Sequence, residues 1–128
     1  GIENITAFVS DVGRQIPVAD QSIDVCLMST VLHDFVEDGS DRGVLNEIVR
    51  VVKPAGRLAV MEFKKIDGPT GPPKHVRLSP EEVADMLDPY GFKKERTVDV
   101  GPYNYLILLV QRPDEIKATK ISLGRLGR

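Results

Sequence analysis

The stretch from Val44 to Met61 changes its hydrophobic period halfway along, and this limits the possible folds more than any other feature of the chain. Val44, Leu45, Ile48, Val51 and Val52 recur at helical spacing, which gives one apolar helix face that must be buried. Lys53 supports the carboxyl end of that helix, and Pro54 with Gly56 stops it. Leu58-Ala59-Val60-Met61 then restarts as a buried strand with Glu62 at its carboxyl end. A helix that hands the chain directly to a buried strand is the building unit of an α/β sheet.

The flanking segments extend this pattern. Ile5 to Val9 is a short apolar-rich run ending at Ser10-Asp11-Val12-Gly13, which predicts a strand running into a loop. Val25 to Met28 is apolar at every position and predicts a central strand covered on both faces. Asp34 to Asp41 reads as an acidic loop, with Ser40 as N-cap of the helix that follows. Asp67-Gly68-Pro69-Thr70-Gly71-Pro72-Pro73 is a restricted loop. Ser79-Pro80-Glu81-Glu82 starts a helix with a capping box, Val83, Met86, Leu87 and Tyr90 form its apolar stripe, and Gly91 closes it. Strands near Arg96 to Val100 and Tyr103 to Gln111, joined through Gly101-Pro102, predict an antiparallel hairpin at one edge. The expectation is an α/β domain over residues 1–112, its sheet mostly parallel with an antiparallel carboxyl-terminal hairpin. Residues 113–128, with Lys117, Lys120, Arg125 and Arg128, read as a polar, basic tail.

Composition narrows the function classes. A chain of 128 residues fits one domain, and 41% hydrophobic with 28% charged residues is ordinary globular composition, not disorder. A net charge of -2 excludes a strongly basic nucleic-acid binder, and 5% aromatics without tryptophan argue against a base-stacking platform. Apolar runs such as Tyr105 to Val110 are too short to cross a bilayer, and the chain opens on no secretory signal. The single cysteine, Cys26, forms no internal disulfide and no metal site by itself, so a cytoplasmic setting is expected.

Several motifs taken together carry a family resemblance. Asp11, Ile16-Pro17 and Asp20-Gln21-Ser22-Ile23-Asp24-Val25 are followed by Glu47-Ile48-Val49-Arg50-Val51-Val52-Lys53-Pro54-Ala55-Gly56-Arg57-Leu58 and later by Gly91-Phe92. From about Asn4 to Arg112 the chain resembles the class I S-adenosylmethionine-dependent methyltransferases, in particular the small-molecule enzymes of the quinone-biosynthesis type. The resemblance implies a Rossmann-like sheet, S-adenosylmethionine as cofactor, and methyl transfer to a small-molecule acceptor. Ala55 stands where a glycine is common, which reads as a minor change. The family's glycine-rich cofactor loop, and the acidic residue that binds its ribose, have no counterpart in the sequence. The expected domain is therefore partial, with an exposed apolar edge on the Val25 to Met28 strand. That edge calls for a second copy (a homo-oligomer) or a missing amino-terminal half. The alternative reading is a non-catalytic remnant acting as an interaction module through the same edge.

The resemblance also implies site residues. Asp11 and Val12 match positions that contact adenine in the family, weighed against a carboxylate that caps a loop, and Ser29 and Thr30 match a segment bordering cofactor and substrate, weighed evenly against a polar strand exit. His33 with Asp34 is weighed as an acid/base pair against a loop histidine held by hydrogen bonds, and the second reading is preferred. Glu62 is read either as orienting a substrate or as an ion pair with Lys64 or Lys65. His75, beside Lys74 and Arg77, is read as a solvated surface cluster in preference to an anion-binding lid. Cys26 is expected to be a small buried hydrophobe, and Glu37, Asp38 and Asp41 a solvated loop.

Overall fold

The computed structural model describes residues 4–68 and 71–117. Its elements are β1 (Ile23–Ser29), α1 (Leu32–Asp38), α2 (Asp41–Val51), β2 (Val52–Phe63), a short 3-10 turn (Lys74–Val76), α3 (Pro80–Leu87), β3 (Tyr90–Val100) and β4 (Asn104–Ile116). The four strands form one sheet in the order β1-β2-β4-β3.

β1 and β2 run parallel, whereas β2–β4 and β4–β3 are antiparallel. The sheet is therefore mixed and not mostly parallel. A parallel neighbour requires a crossover, and only α1 with α2 supplies one; the hairpin and its return beside β2 supply the rest. The Ile5 to Val9 run is not a strand, and Ile5, Phe8 and Val9 are exposed. Without a neighbouring strand its backbone groups have no ladder to join, so water is their better partner. The predicted acidic loop is instead largely α1, closed by Gly39 at φ 80°, and Ser40 gives its hydroxyl to Asp38 rather than capping α2.

The covered face is formed by alternate residues. Leu58 and Val60 of β2 lie beside Leu109 and Ile107 of β4, all of them buried under Val44, Leu45 and Ile48 of α2 and Val83 and Leu87 of α3. The capping box of α3 is present as predicted: Glu82 N–H donates to Ser79 Oγ, and the Glu82 carboxylate accepts from Ser79 N–H. Gly91 does not close the helix; it lies in β3 at φ 84°, beside a register shift. A Cβ there would meet the Arg112 carbonyl at 2.7 Å, so only glycine fits.

Three further expectations change. β1 is an edge strand covered on one face: Met28 is 5% exposed, but Val25 and Leu27 are each 61% exposed. Ala55 has φ 62°, a left-handed backbone that costs an alanine about 1 kcal/mol, so the replacement of glycine there is not minor. β4 continues through Pro113 to Ile116, into the segment read as tail. Lys120, Arg125 and Arg128 lie outside the described residues.

Candidate functional site

The carboxyl ends of the two parallel strands lie side by side, with Ser29 opposite Met61. In open α/β sheets this end is where ligands bind, because loops diverge there and leave a crevice. Thr30 follows β1 at φ 55°, an uncommon backbone for a β-branched residue, and its N–H donates to the Met61 carbonyl at 2.8 Å. That bond turns the chain sharply into α1, so the helix opens directly above the strand ends.

The turn brings His33 onto Glu62. The His33 backbone N–H donates to Glu62 Oε2 at 3.0 Å, and the ring Nδ1 lies 2.8 Å from Oε1. The ring nitrogen and the carboxylate oxygen are at hydrogen-bond distance, so one hydrogen is shared along the Nδ1–Oε1 line. Glu62 is fully buried and His33 is 6% exposed. Nε2 lies 3.4 Å from Oδ1 of Asp34, whose side chain is 72% exposed. The ring also meets Phe63 edge-on, with centroids 5.9 Å apart. His33 is therefore a buried helix histidine fixed by a carboxylate, not one on a loop. The ion pairs considered for Glu62 do not form: Lys64 pairs with Asp99 and Lys65 with Glu82.

Other groups follow from this geometry. Burial, followed by the nearby Glu62 charge, pushes the Tyr105 hydroxyl well above its ordinary value, and that hydroxyl donates to the Leu78 carbonyl at 2.5 Å. Arg77 is not a surface cation. It is buried, donates to the carbonyls of Pro72, Lys64 and Ile66, and stands over the Phe63 ring at 5.5 Å. His75 is exposed, and Lys74 faces Asp67. Cys26 is half-buried and its thiol is pushed up by burial, which suits a packing role. Among the described residues no group of three or more His, Cys, Asp or Glu side chains could hold a metal ion, and no helix is long and apolar enough to cross a membrane.

Asp11 is exposed on a turn. Its Oδ1 accepts the Gly13 N–H at 3.1 Å and its Oδ2 lies 3.7 Å from Arg14. Val12 packs partly against the core, Ser29 is exposed and Thr30 is half-buried. A groove of about 640 Å³ is lined by Gly13, Asn46, Arg50 and Gln111, and another of about 560 Å³ by Arg42, Met86 and Tyr90; no predicted site residue lines either.

Residues 2–60 match a family model described as a methyltransferase domain. The crystal structure of an S-adenosylmethionine-dependent methyltransferase from Aquifex aeolicus superimposes with a TM-score of 0.74 and 30% identity, over 84% of this chain and 55% of that one. In sequence over residues 2–60 and in fold over 84% of its length, the chain is similar to S-adenosylmethionine-dependent methyltransferases. Its sequence relatives include quinone-biosynthesis enzymes. It is 45% identical over 51 residues to the demethylmenaquinone methyltransferase of Corynebacterium kroppenstedtii, which is 40% of this chain and 21% of that protein. It is 27% identical to the ubiquinone/menaquinone biosynthesis C-methyltransferase UbiE of Ectopseudomonas mendocina, over 97% of this chain and 46% of that protein. The chain thus spans less than half the length of either relative.

S-adenosylmethionine is the cofactor this family implies. Toward its adenine end the chain offers one exposed acceptor, the Asp11 carboxylate, beside Val12, which is half-buried against the core. The described residues contain no glycine-rich strand-to-helix loop to hold the amino-acid end.

Proposed function

We propose that this chain forms the acceptor side of a methyltransferase site, in which His33, held by Glu62, is the general base. The observation that carries the reading is the buried His33–Glu62 pair at the carboxyl ends of β1 and β2. When bound, S-adenosylmethionine supplies an electrophilic methyl group. Asp11 and Val12 would hold its adenine, with Ser29 and Thr30 bordering the cofactor. The small-molecule acceptor is positioned above the strand ends, its X–H directed at Nε2. The methyl group would go to the acceptor's lone pair, with the bonding electrons remaining on the cofactor's sulfur. The acceptor's proton passes to Nε2, and the Glu62 carboxylate stabilises the imidazolium through Nδ1–H. In-line alignment contributes the rest of the rate. A reducing, cytoplasmic setting is part of this reading, supported by the single cysteine, which lies mid-strand.

Holding the rest of the cofactor requires further chain, either an amino-terminal half or a second copy. The test is calorimetric titration of S-adenosylhomocysteine into the 128-residue chain and into a version carrying an added amino-terminal methyltransferase half. Binding that Asp11→Ala abolishes is the expected result in at least one of them. Absence of binding in both, from well-folded protein, overturns the reading.

One observation favours a second reading. Val25 and Leu27 on the free edge strand are each 61% exposed, a surface suited to strand pairing with another copy in a non-catalytic interaction module. A monomeric mass by light scattering at high concentration overturns that alternative.

A further inference from the structure

Arg77 is 3% exposed, although it carries a full charge and belongs to no helix or strand. A guanidinium withdrawn from water needs acceptors, and the backbone around it supplies them. Nε donates to the Pro72 carbonyl at 2.9 Å, and Nη1 donates to the carbonyls of Ile66 at 2.9 Å and Lys64 at 3.2 Å. Lys64 and Ile66 follow β2 directly, whereas Pro72 precedes the 3-10 turn, so one side chain ties the exit of β2 to the approach to α3. Under that clasp lies Phe63, the last residue of β2, with its ring centroid 5.5 Å from Arg77 Cζ. Phe63 is also the link to the site. Its ring meets the His33 ring edge-on, at 78° with centroids 5.9 Å apart, while Glu62, the residue before it, holds Nδ1 at 2.8 Å. A bond at one nitrogen leaves an imidazole free to rock about that line, and a phenyl packed steeply against it limits the rocking. Gly71 closes on the same phenyl: a Cβ there would meet Phe63 Cε1 at 2.8 Å.

We infer that Arg77 is a positioning residue for His33: it fixes the Phe63 ring, and the Phe63 ring fixes the direction in which the imidazole faces. This rests on the general-base reading above and adds the device that aims the base. Arg77 acts through the phenyl and not through its charge, so its effect on His33 exists only while Phe63 is present. Lysine is no substitute, because a point charge on a flexible stem cannot span carbonyls on both sides of the clasp as a planar fork does.

The test follows the ring protons of the two histidines by NMR in the full chain, with all variants held at one pH. His75 sits in the 3-10 turn just before Arg77 and reports on the loop, while His33 reports on the site. Phe63→Leu removes the phenyl and its ring current, and is expected to move the His33 signals toward those of free histidine. Arg77→Met is expected to move them part of the way in the same direction, and Arg77→Lys less far. In the double variant Phe63→Leu with Arg77→Met, the His33 signals are expected to stay where Phe63→Leu alone leaves them. Arg77→Met withdraws a donor from buried carbonyls; if that protein does not fold, Arg77→Lys, alone and with Phe63→Leu, carries the same comparison. Two results would overturn the inference. His33 signals that stay in place while His75 moves would reduce Arg77 to a clasp for its own loop. Further movement of His33 in the double variant would mean that Arg77 reaches the imidazole without the phenyl. Methyl transfer is not needed for this readout. Coupling of Arg77 to His33 in a completed enzyme whose transfer survives His33→Asn would fault the general-base reading alone, whereas transfer that needs His33 without the coupling would fault the inference alone.

Discussion

Adjacent residues of β1 face opposite environments. Met28 is 5% exposed and Leu27 is 61% exposed, although both are apolar and both sit in the parallel ladder with β2. The same division runs across the sheet. On one side Leu58, Val60, Ile107 and Leu109 are sealed under α2 and α3; on the other, cover fails toward the edge, where Leu27 is exposed although its neighbour Ala59 is buried and Leu108 half-buried. Strand periodicity specifies which residues share a face, but it does not say what covers that face. A run apolar on both sides therefore signals two faces to bury, and this chain buries one of them itself.

The largest expected effect lies on the sealed face. Leu109→Ala, at a site with no exposed surface, should cost about 2–5 kcal/mol through lost transfer energy and a residual cavity, measured by urea denaturation. For a domain of this size that approaches the whole margin of stability. If Leu109→Ala cost no more than a surface change, the distinction between the two faces would fail.

Next in size is the join between face and site. Glu62 accepts two bonds from His33 inside the core, so Glu62→Leu strands both donors and should cost about 1–3 kcal/mol for each. On the proposed reading, methyl transfer by the chain completed with an amino-terminal half should fall at the same time, because the ring loses the partner that holds it. Glu62→Gln keeps one acceptor oxygen and should recover part of the stability while leaving the transfer rate low. Equal stability and equal rate in all three proteins would remove Glu62 from the site.

These residues also mark what was legible in the sequence. The α2–β2 handover, the α3 capping box and the terminal hairpin were readable because each rests on local signals: period, cap and turn. The ladder from β1 to β4 was misjudged as mostly parallel, since the return of β4 beside β2 depends on contacts between residues far apart in the chain. His33 and Glu62 are 29 positions apart, and nothing in the spacing shows that a left-handed turn at Thr30 sets one upon the other. Ala55 hid its strain for the same reason, because φ is not written in residue identity. Two adjacent signals did point toward the site: a histidine followed by aspartate just past a strand, and a glutamate ending the next strand.

Smaller changes at those local features should follow their geometry. Ala55→Gly removes a left-handed alanine at an exposed bend and should stabilise the fold by about 1 kcal/mol, read as a shift in the urea midpoint. Ser79→Ala breaks the capping box and should cost about 1 kcal/mol. Lys65, and then the Ser79 N–H, hold the Glu82 carboxyl below its ordinary value of 4.5. A depressed carboxyl stabilises the folded state above its unfolded value. Its contribution is therefore complete above about pH 5 and is lost as pH falls through the depressed folded value. The Ser79→Ala penalty should narrow over the same interval, as the partner it weakens becomes neutral in both proteins. A penalty independent of pH would mean that the hydroxyl acts without the glutamate.

The smallest effect on stability should come from Leu27→Lys on the uncovered face, within about 0.5 kcal/mol for the isolated chain. Its consequence should appear in mass. An edge strand with an apolar face and no charge at its centre pairs readily, and lysine is the residue that most effectively discourages that pairing. If the native chain is an oligomer through β1, light scattering should show the mass of Leu27→Lys falling toward that of one chain while its urea midpoint at high dilution stays in place. A native chain already monomeric at high concentration leaves this face for an amino-terminal half to cover, and the same substitution should then weaken that half's association. A loss of several kcal/mol from Leu27→Lys in the dilute monomer would show that the second face is sealed from within the chain, and the difference between Leu27 and Met28 would no longer mark a boundary of the fold.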